Sequence, residues 1–302
     1  MGEGTLEALT ACARPMRGLV HVAHSPAIPF TAPETWRVVS RIRCAGFPGP
    51  FLGASLLRGS YGNLEAVCAQ ADGALAHFWK TERGGWRGPN LLPMRAEGPP
   101  ALIQSRYGVV GNFEVLAPQA GGGLAHVWRD NDRGASVLWR TARQPRPDTQ
   151  PAWSGVALLQ SNLGHLEAAG VRDGNLICLT QAGAGGAWQA TPIDTGAKGR
   201  PALIETTYSQ PGDFDLVVAR AAGGLAHYWR DNAQAARPWS AATLFGPRET
   251  VFDDVSIMQT SSGALEALAR IAGESACKRF RRSAPDAGWD GPFPGPSFAC
   301  DP

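Results

Sequence analysis

Charge is scarce in this sequence. Asp, Glu, Lys and Arg make up 18% of its 302 residues and leave a net charge of +2. Proteins that hold nucleic acid or an anionic membrane surface do so with clustered Lys and Arg. The densest basic stretch here is Lys278-Arg279-Phe280-Arg281-Arg282, short enough to be a solvated strand edge, so no nucleic-acid partner is expected. Long apolar runs are missing too. None reaches the roughly 18 residues of a membrane-crossing helix, and no membrane insertion is expected. The six cysteines (Cys12, Cys44, Cys68, Cys178, Cys277 and Cys300) form no CxxC pair, which argues against a zinc ribbon or a thioredoxin motif. They fit either disulfides or six small buried thiols. HExxH, a P-loop, a metal-spaced His/Cys set and a serine–histidine–acid order are all lacking. The expectation is therefore no metal and no cofactor, and hydrolase and metalloenzyme readings find no support.

What the chain has in quantity is glycine, 37 residues, and proline, 24. That supply suits many tight turns between short strands. A marker, Gly-x-(Leu/Phe)-(Glu/Asp), begins at Gly4, Gly62, Gly111, Gly164, Gly212 and Gly263, at spacings of 58, 49, 53, 48 and 51. Each unit offers four strand-length pieces. An apolar piece such as Ala101-Leu102-Ile103-Gln104 precedes the marker, and the marker opens the second. The third is Leu-Ala-His-x-Trp at Leu75–Trp79, Leu124–Trp128 and Leu225–Trp229. One Trp marks the fourth: Trp36, Trp86, Trp139, Trp188, Trp239 and Trp289. Alternation puts Leu, His and Trp of the third piece on one face and Ala on the other. In the first, fourth and sixth units this piece has decayed to Leu19–Ala23, Leu176–Thr180 and Ala276–Phe280.

A strand-only repeat with a period of roughly 40–50 residues reads as propeller blades. The expected fold is all-β, a six-bladed β-propeller of four-stranded antiparallel blades, with 1–302 as a single domain. The blades fall at approximately 1–50 plus 296–302, 51–97, 98–152, 153–198, 199–250 and 251–295. The first marker leaves no room for a strand before it, and Pro296–Cys300 looks like a leading strand without a marker. The C-terminal strand is therefore expected to pair into the first blade and close the ring, which removes a sheet edge. Arg143–Pro151 reads as an extended loop.

The marker acids (Glu7, Glu65, Glu114, Glu167, Asp215, Glu266) and the third-strand histidines (His21, His77, His126, His227) read as structural hydrogen-bonding groups. His24 and His165 fall outside that pattern and are loop candidates. Ligand-binding candidates come from three sets. Arg58, Gln104, Gln160, Glu205 and Gln259 (with Cys300) end the first strand and would form a polar ring if they face the channel. Trp86, Trp188, Trp239 and Trp289 lie near loops and could wall a sugar site, or pack in the core. Arg129 and Arg230 end the third strand, where Arg-Asp-Asn is turn chemistry and also a way to hold polyols.

Gly62-Asn63-Leu64-Glu65-Ala66-Val67, then Gly73-Ala74-Leu75-Ala76-His77-Phe78-Trp79, then Trp86, resembles the blade of the bacterial PLL-type fucose-binding propeller lectins. By blade number the chain is also similar to the six-bladed fungal fucose lectins. The resemblance implies a lectin-like propeller with a glycan or small-molecule ligand. Two departures stand out. Ala76, Ala125 and Ala226 occupy the place of the family's first Trp in Leu-Trp-His, and these six units differ more among themselves. The resemblance also admits an alternative, a secondary-metabolite enzyme of the hetero-Diels–Alderase kind with one substrate in the channel or a top-face pocket.

Overall fold

A computed structural model of the chain describes residues 50–119, 122–133, 138–142, 152–234, 236–274 and 276–297, together with the strands Leu6–Cys12, Gly18–His24 and Trp36–Ile42. The residues expected to close the ring after Ser297, and the Arg143–Pro151 loop, lie outside them. The chain divides into two compact units, an N-terminal one ending at Trp153 and a C-terminal one, Ser154–Ser297.

In the N-terminal unit, β1 (Leu6–Cys12), β2 (Gly18–His24) and β3 (Trp36–Ile42) make a three-stranded antiparallel sheet. This is the blade expected to lack a leading strand of its own. The second blade is β4 (Phe51–Arg58), β5 (Leu64–Gln70), β6 (Ala74–Lys80) and β7 (Trp86–Arg95). The third is β8 (Ala101–Gln104), β9 (Phe113–Pro118), β10 (Leu124–Arg129) and β11 (Trp139–Thr141). The fourth opens the C-terminal unit with β12 (Trp153–Gln160), β13 (Leu166–Arg172), β14 (Asn175–Gln181) and β15 (Trp188–Asp194). The fifth is β16 (Ala197–Thr206), β17 (Asp213–Arg220), β18 (Leu225–Arg230) and β19 (Thr243–Phe245). The sixth is β20 (Phe252–Gln259), β21 (Leu265–Ile271), β22 (Ala276–Arg282) and β23 (Trp289–Ser297). Each is an antiparallel meander, and a parallel bridge between Arg200 and Asp254 joins the fifth to the sixth. The fifth blade begins two residues before its expected start, and β23 runs two residues past its expected end.

The marker glycine has a backbone cause. Gly62, Gly111, Gly164, Gly212 and Gly263 all take positive φ, between 81° and 120°, in the turn from first to second strand. A residue with a Cβ is strained there. The strand that follows is buried throughout, as in β5 and β9, and one face of each packs against the other's sheet. This explains why these strands read as apolar runs rather than as alternation.

The third strand sorts its side chains as the alternation requires. In the second blade Val67 and Leu75 pack with Val115, Val127 and Trp139 of the third, while Ala76 and Phe78 form a separate cluster with Trp86. Ala226 packs with Leu176 and Val171 of the fourth blade. Ala76, Ala125 and Ala226 are each fully buried, and at Ala226 close packing of the preceding sheet fills the face that would carry a Trp. The sixth blade corrects one expectation. Glu266 pairs across to Arg281, so Arg279, not Lys278, stands where the other blades have His, and Phe280 does not take the place of Trp.

Candidate ligand site at the seams between blades

The seams between successive blades repeat one construction. The earlier blade supplies the marker acid and, in the second and fifth blades, the third-strand histidine and the Trp two residues on. The later blade supplies the Arg that ends its third strand and the Trp of its fourth, with Phe113 or Phe214 of its second strand added in the third and fifth blades.

At the seam of the second and third blades, His77 Nε2 lies 2.7 Å from Glu65 Oε2, with the histidine fully buried. Trp79 stacks on the His77 ring at 5.7 Å, and Trp139 of the next blade meets its edge at 5.4 Å. Arg129 lies over Phe113 at 4.5 Å and Trp139 at 5.7 Å. Asn131 fixes that arginine: its Oδ1 accepts from Arg129 Nε at 2.9 Å while its amide donates to the carbonyl of Gly111 at 2.6 Å. The Arg-Asp-Asn run is thus a turn that aims a guanidinium at the preceding blade.

Burial lowers the His77 pKa from its ordinary 6.5, against the raising effect of Glu65. The imidazole is neutral near pH 7 and its Nε2–H donates to the carboxylate. The unfolded chain takes up that proton more readily than the native one. The contribution of His77 is therefore complete above pH 6.5 and is lost as pH falls below it. Melting temperatures measured from pH 8 to pH 5 should fall for the parent and fall less for His77→Gln. Parallel curves would contradict this assignment.

At the seam of the fourth and fifth blades the histidine is absent, and Cys178 takes its register position. Glu167 accepts from Thr180 Oγ1 at 2.6 Å and pairs with Arg230 Nη2 of the next blade at 3.3 Å. Both partners are buried. Arg230 also lies over Phe214 at 4.3 Å and Trp239 at 5.3 Å, and Asn232 holds its Nε at 3.0 Å. This seam is closed by the ion pair.

At the seam of the fifth and sixth blades, Asp215 accepts from His227 at 2.7 Å and Thr206 Oγ1 at 3.1 Å, with Arg282 Nη1 at 3.6 Å. Trp289 meets the edge of His227 at 5.4 Å and stacks with Phe245 at 4.4 Å. Here the third-strand tryptophan is open. Trp229 is 42% exposed, the one Trp among the exposed large hydrophobics of the described residues. It sits directly across from Asp215 in the antiparallel register, on the same side of the sheet. The reason for its exposure is its other neighbour. In the third blade Arg140 follows Trp139, pairs with Trp128 and lies over its ring at 5.2 Å. In the fifth blade the residue after Trp239 is Ser240, bound to the backbone of Trp229. A serine cannot cover an indole, so Trp229 keeps a bare face.

The residues that end the first strand have a different place. Gln104 accepts from the amide of Ser60 at 2.7 Å and donates to the carbonyl of Val110 at 3.0 Å, so it clasps the turns of the second and third blades together. Glu205 does the same for the fourth, accepting from the Asn162 amide at 2.9 Å. Gln259 accepts from the Thr207 amide at 2.9 Å and donates to Gly263 at 3.3 Å. Arg58 and Gln160 donate to their own turns, at Gly62 and Gly164. Of the fourth-strand tryptophans, Trp86, Trp239 and Trp289 pack half-buried against the clusters of their sheets, and Trp188 is half-buried as well. His165 lies 4.0 Å from Glu167, and the side chain of His24 lies outside the described residues. Sequence reasoning set Trp229 on the same face as Leu225 and His227 and passed over Ser240. The available signal was the residue after each fourth-strand Trp: Arg37, Arg87, Arg140, Gln189, Ser240 and Asp290.

Neither a family model nor a curated protein matches the chain. Solved structures do. The BP39L lectin of Burkholderia pseudomallei aligns at a TM-score of 0.71 and 17% identity, over 96% of this chain and 80% of that one. The SapL1 lectin, solved with α-methyl fucoside, aligns at 0.65 and 13% over 98% and 94%. The Aleuria aurantia lectin, a six-bladed β-propeller with a fucose recognition mode, aligns at 0.60 and 8% over 94% and 90%. This chain has the six-bladed β-propeller fold. Within that propeller the meanders described above are the blades, and the three seams described are the places where one blade's acid meets the next blade's arginine and tryptophan.

Proposed function

We propose that this propeller is a lectin-like protein that binds carbohydrate of the fucose type, with 1–302 as one domain and its ligand seated at the seam of the fifth and sixth blades. The observation that carries the site is Trp229, an indole with an open face beside the Asp215–His227–Arg282 group. A sugar offers an apolar patch of C–H bonds to an aromatic face and hydroxyls to charged and amide groups, and this seam supplies both kinds of partner. The solved neighbours that bind fucosides support the sugar class. No feature of the described residues favours the cyclase reading. The seams are unequal, with one closed by Arg230 and Glu167, so the stoichiometry should be below six per chain.

A glycan array followed by calorimetry with methyl α-L-fucoside tests this. The expected result is selective retention on fucosylated glycans and a saturable isotherm. Absence of signal on every glycan would sink the lectin reading.

A further inference from the structure

A second concave site lies in the fifth blade, at the opposite end of β18 from Trp229. Its volume is about 280 Å³, and it is formed by the β17–β18 hairpin, β19 and the segment after β19. Leu225, Leu244 and Phe245 give it apolar walls, and Arg220 and Arg248 give it two guanidinium groups; no carboxylate lines it. Backbone at Gly223, Gly224 and Gly246 completes the wall. Gly223 has φ of 92°, and a Cβ there would collide with the carbonyl of Arg248. The glycine is what allows the Arg248 segment to close over the hairpin.

The two arginines are differently prepared. Arg220 is anchored through Nη1, which donates to Thr195 O at 2.7 Å and Asp194 at 3.2 Å. Asp194 is in turn bound by Tyr228 Oη at 2.6 Å. Nε and Nη2 of Arg220 make no hydrogen bond among the described residues. The Arg248 side chain is exposed and makes neither a hydrogen bond nor an ion pair among them. One guanidinium is held in place with donors to spare, and the other is free to fold over a ligand. Guanidinium forks match carboxylate geometry. A neutral sugar would leave these donors poorly matched and gains little from Leu244 and Phe245. The volume is below the range of drug-sized ligands.

We propose that this pocket binds a small organic acid, a single carboxylate on a flat apolar body, independently of the seam. The carboxylate is held between Arg220 and Arg248, and the body lies against Leu244 and Phe245. Benzoate is the probe, benzamide its uncharged counterpart, and glucuronate the test of a sugar acid. Two-dimensional NMR of the full chain should show benzoate shifting the amides of Gly223, Gly224 and Gly246 saturably, with benzamide at least ten-fold weaker. Arg248→Ala, at an exposed position, should weaken benzoate at least ten-fold and leave methyl α-L-fucoside binding, where present, unchanged. Equal binding of benzamide, an unaltered affinity in Arg248→Ala, or no shift of these amides would overturn the proposal. Glucuronate binding more tightly than benzoate would overturn the apolar body.

Discussion

Arg230→Met should lower the stability of the protein by about 3–5 kcal/mol, the range seen when one partner of a buried ion pair is removed. The arginine is 7% exposed and its partner Glu167 is 1% exposed. Taking away the guanidinium leaves a carboxylate sealed between two blades, with a hydrogen bond from Thr180 and with His165 4.0 Å away. The arginine also covers Phe214 and Trp239, which methionine replaces in part. The melting temperature should fall on the order of 10 °C. Adding Glu167→Gln should recover stability, because a neutral amide costs far less to bury than an unpaired charge. Urea denaturation of the two single variants and the double variant checks this. A single variant within about 1 kcal/mol of the parent, or a double variant no better than Arg230→Met, would show that the pair is not what fastens this seam.

Trp229→Ala should weaken carbohydrate binding at least ten-fold, a change of about 1.4 kcal/mol, with little loss of stability. The indole is 42% exposed, so its removal opens no large core cavity. Ser240→Arg gives the sharper test. Arg140 shows what an arginine does at this position, lying 5.2 Å from the ring of Trp128. The same guanidinium on Trp229 would occupy the face offered to the sugar and add a cation–π contact. Binding should then fall by a similar factor while the folded state is kept or slightly strengthened. Calorimetry with methyl α-L-fucoside checks both. Unchanged affinity in Ser240→Arg would place the sugar elsewhere.

The fold was legible because its rule is a backbone rule. A positive φ at each of five described marker glycines leaves glycine as the natural choice, and so the period survives while the rest diverges. The acid–histidine pairs were legible as structural for a related reason: an acid and a histidine kept at fixed spacing have each other as partners, as Glu65 and His77 do. The third strand of the sixth blade lies one residue away from the expected alignment. There the strand puts Arg279 against Glu266, an ion pair in place of an imidazole–carboxylate hydrogen bond, which no pattern of Leu-Ala-His could reveal. Arg230 was chosen for its chemistry, yet its direction is set by Asn232 two residues on, and it points into the preceding blade. Trp229 was hidden for the opposite reason. In sequence it equals Trp79 and Trp128, and its exposure depends on Ser240 from the segment before β19.

The central claim is that sugar sits on Trp229 at the seam of the fifth and sixth blades. Indole N–H resonances of the ten tryptophans, followed during a titration with methyl α-L-fucoside, test it most directly. The account predicts a saturable shift of the resonance that disappears in Trp229→Phe, accompanied by Trp289, while the resonance lost in Trp188→Phe stays still. Saturation that moves other tryptophans and leaves Trp229 in place would contradict it.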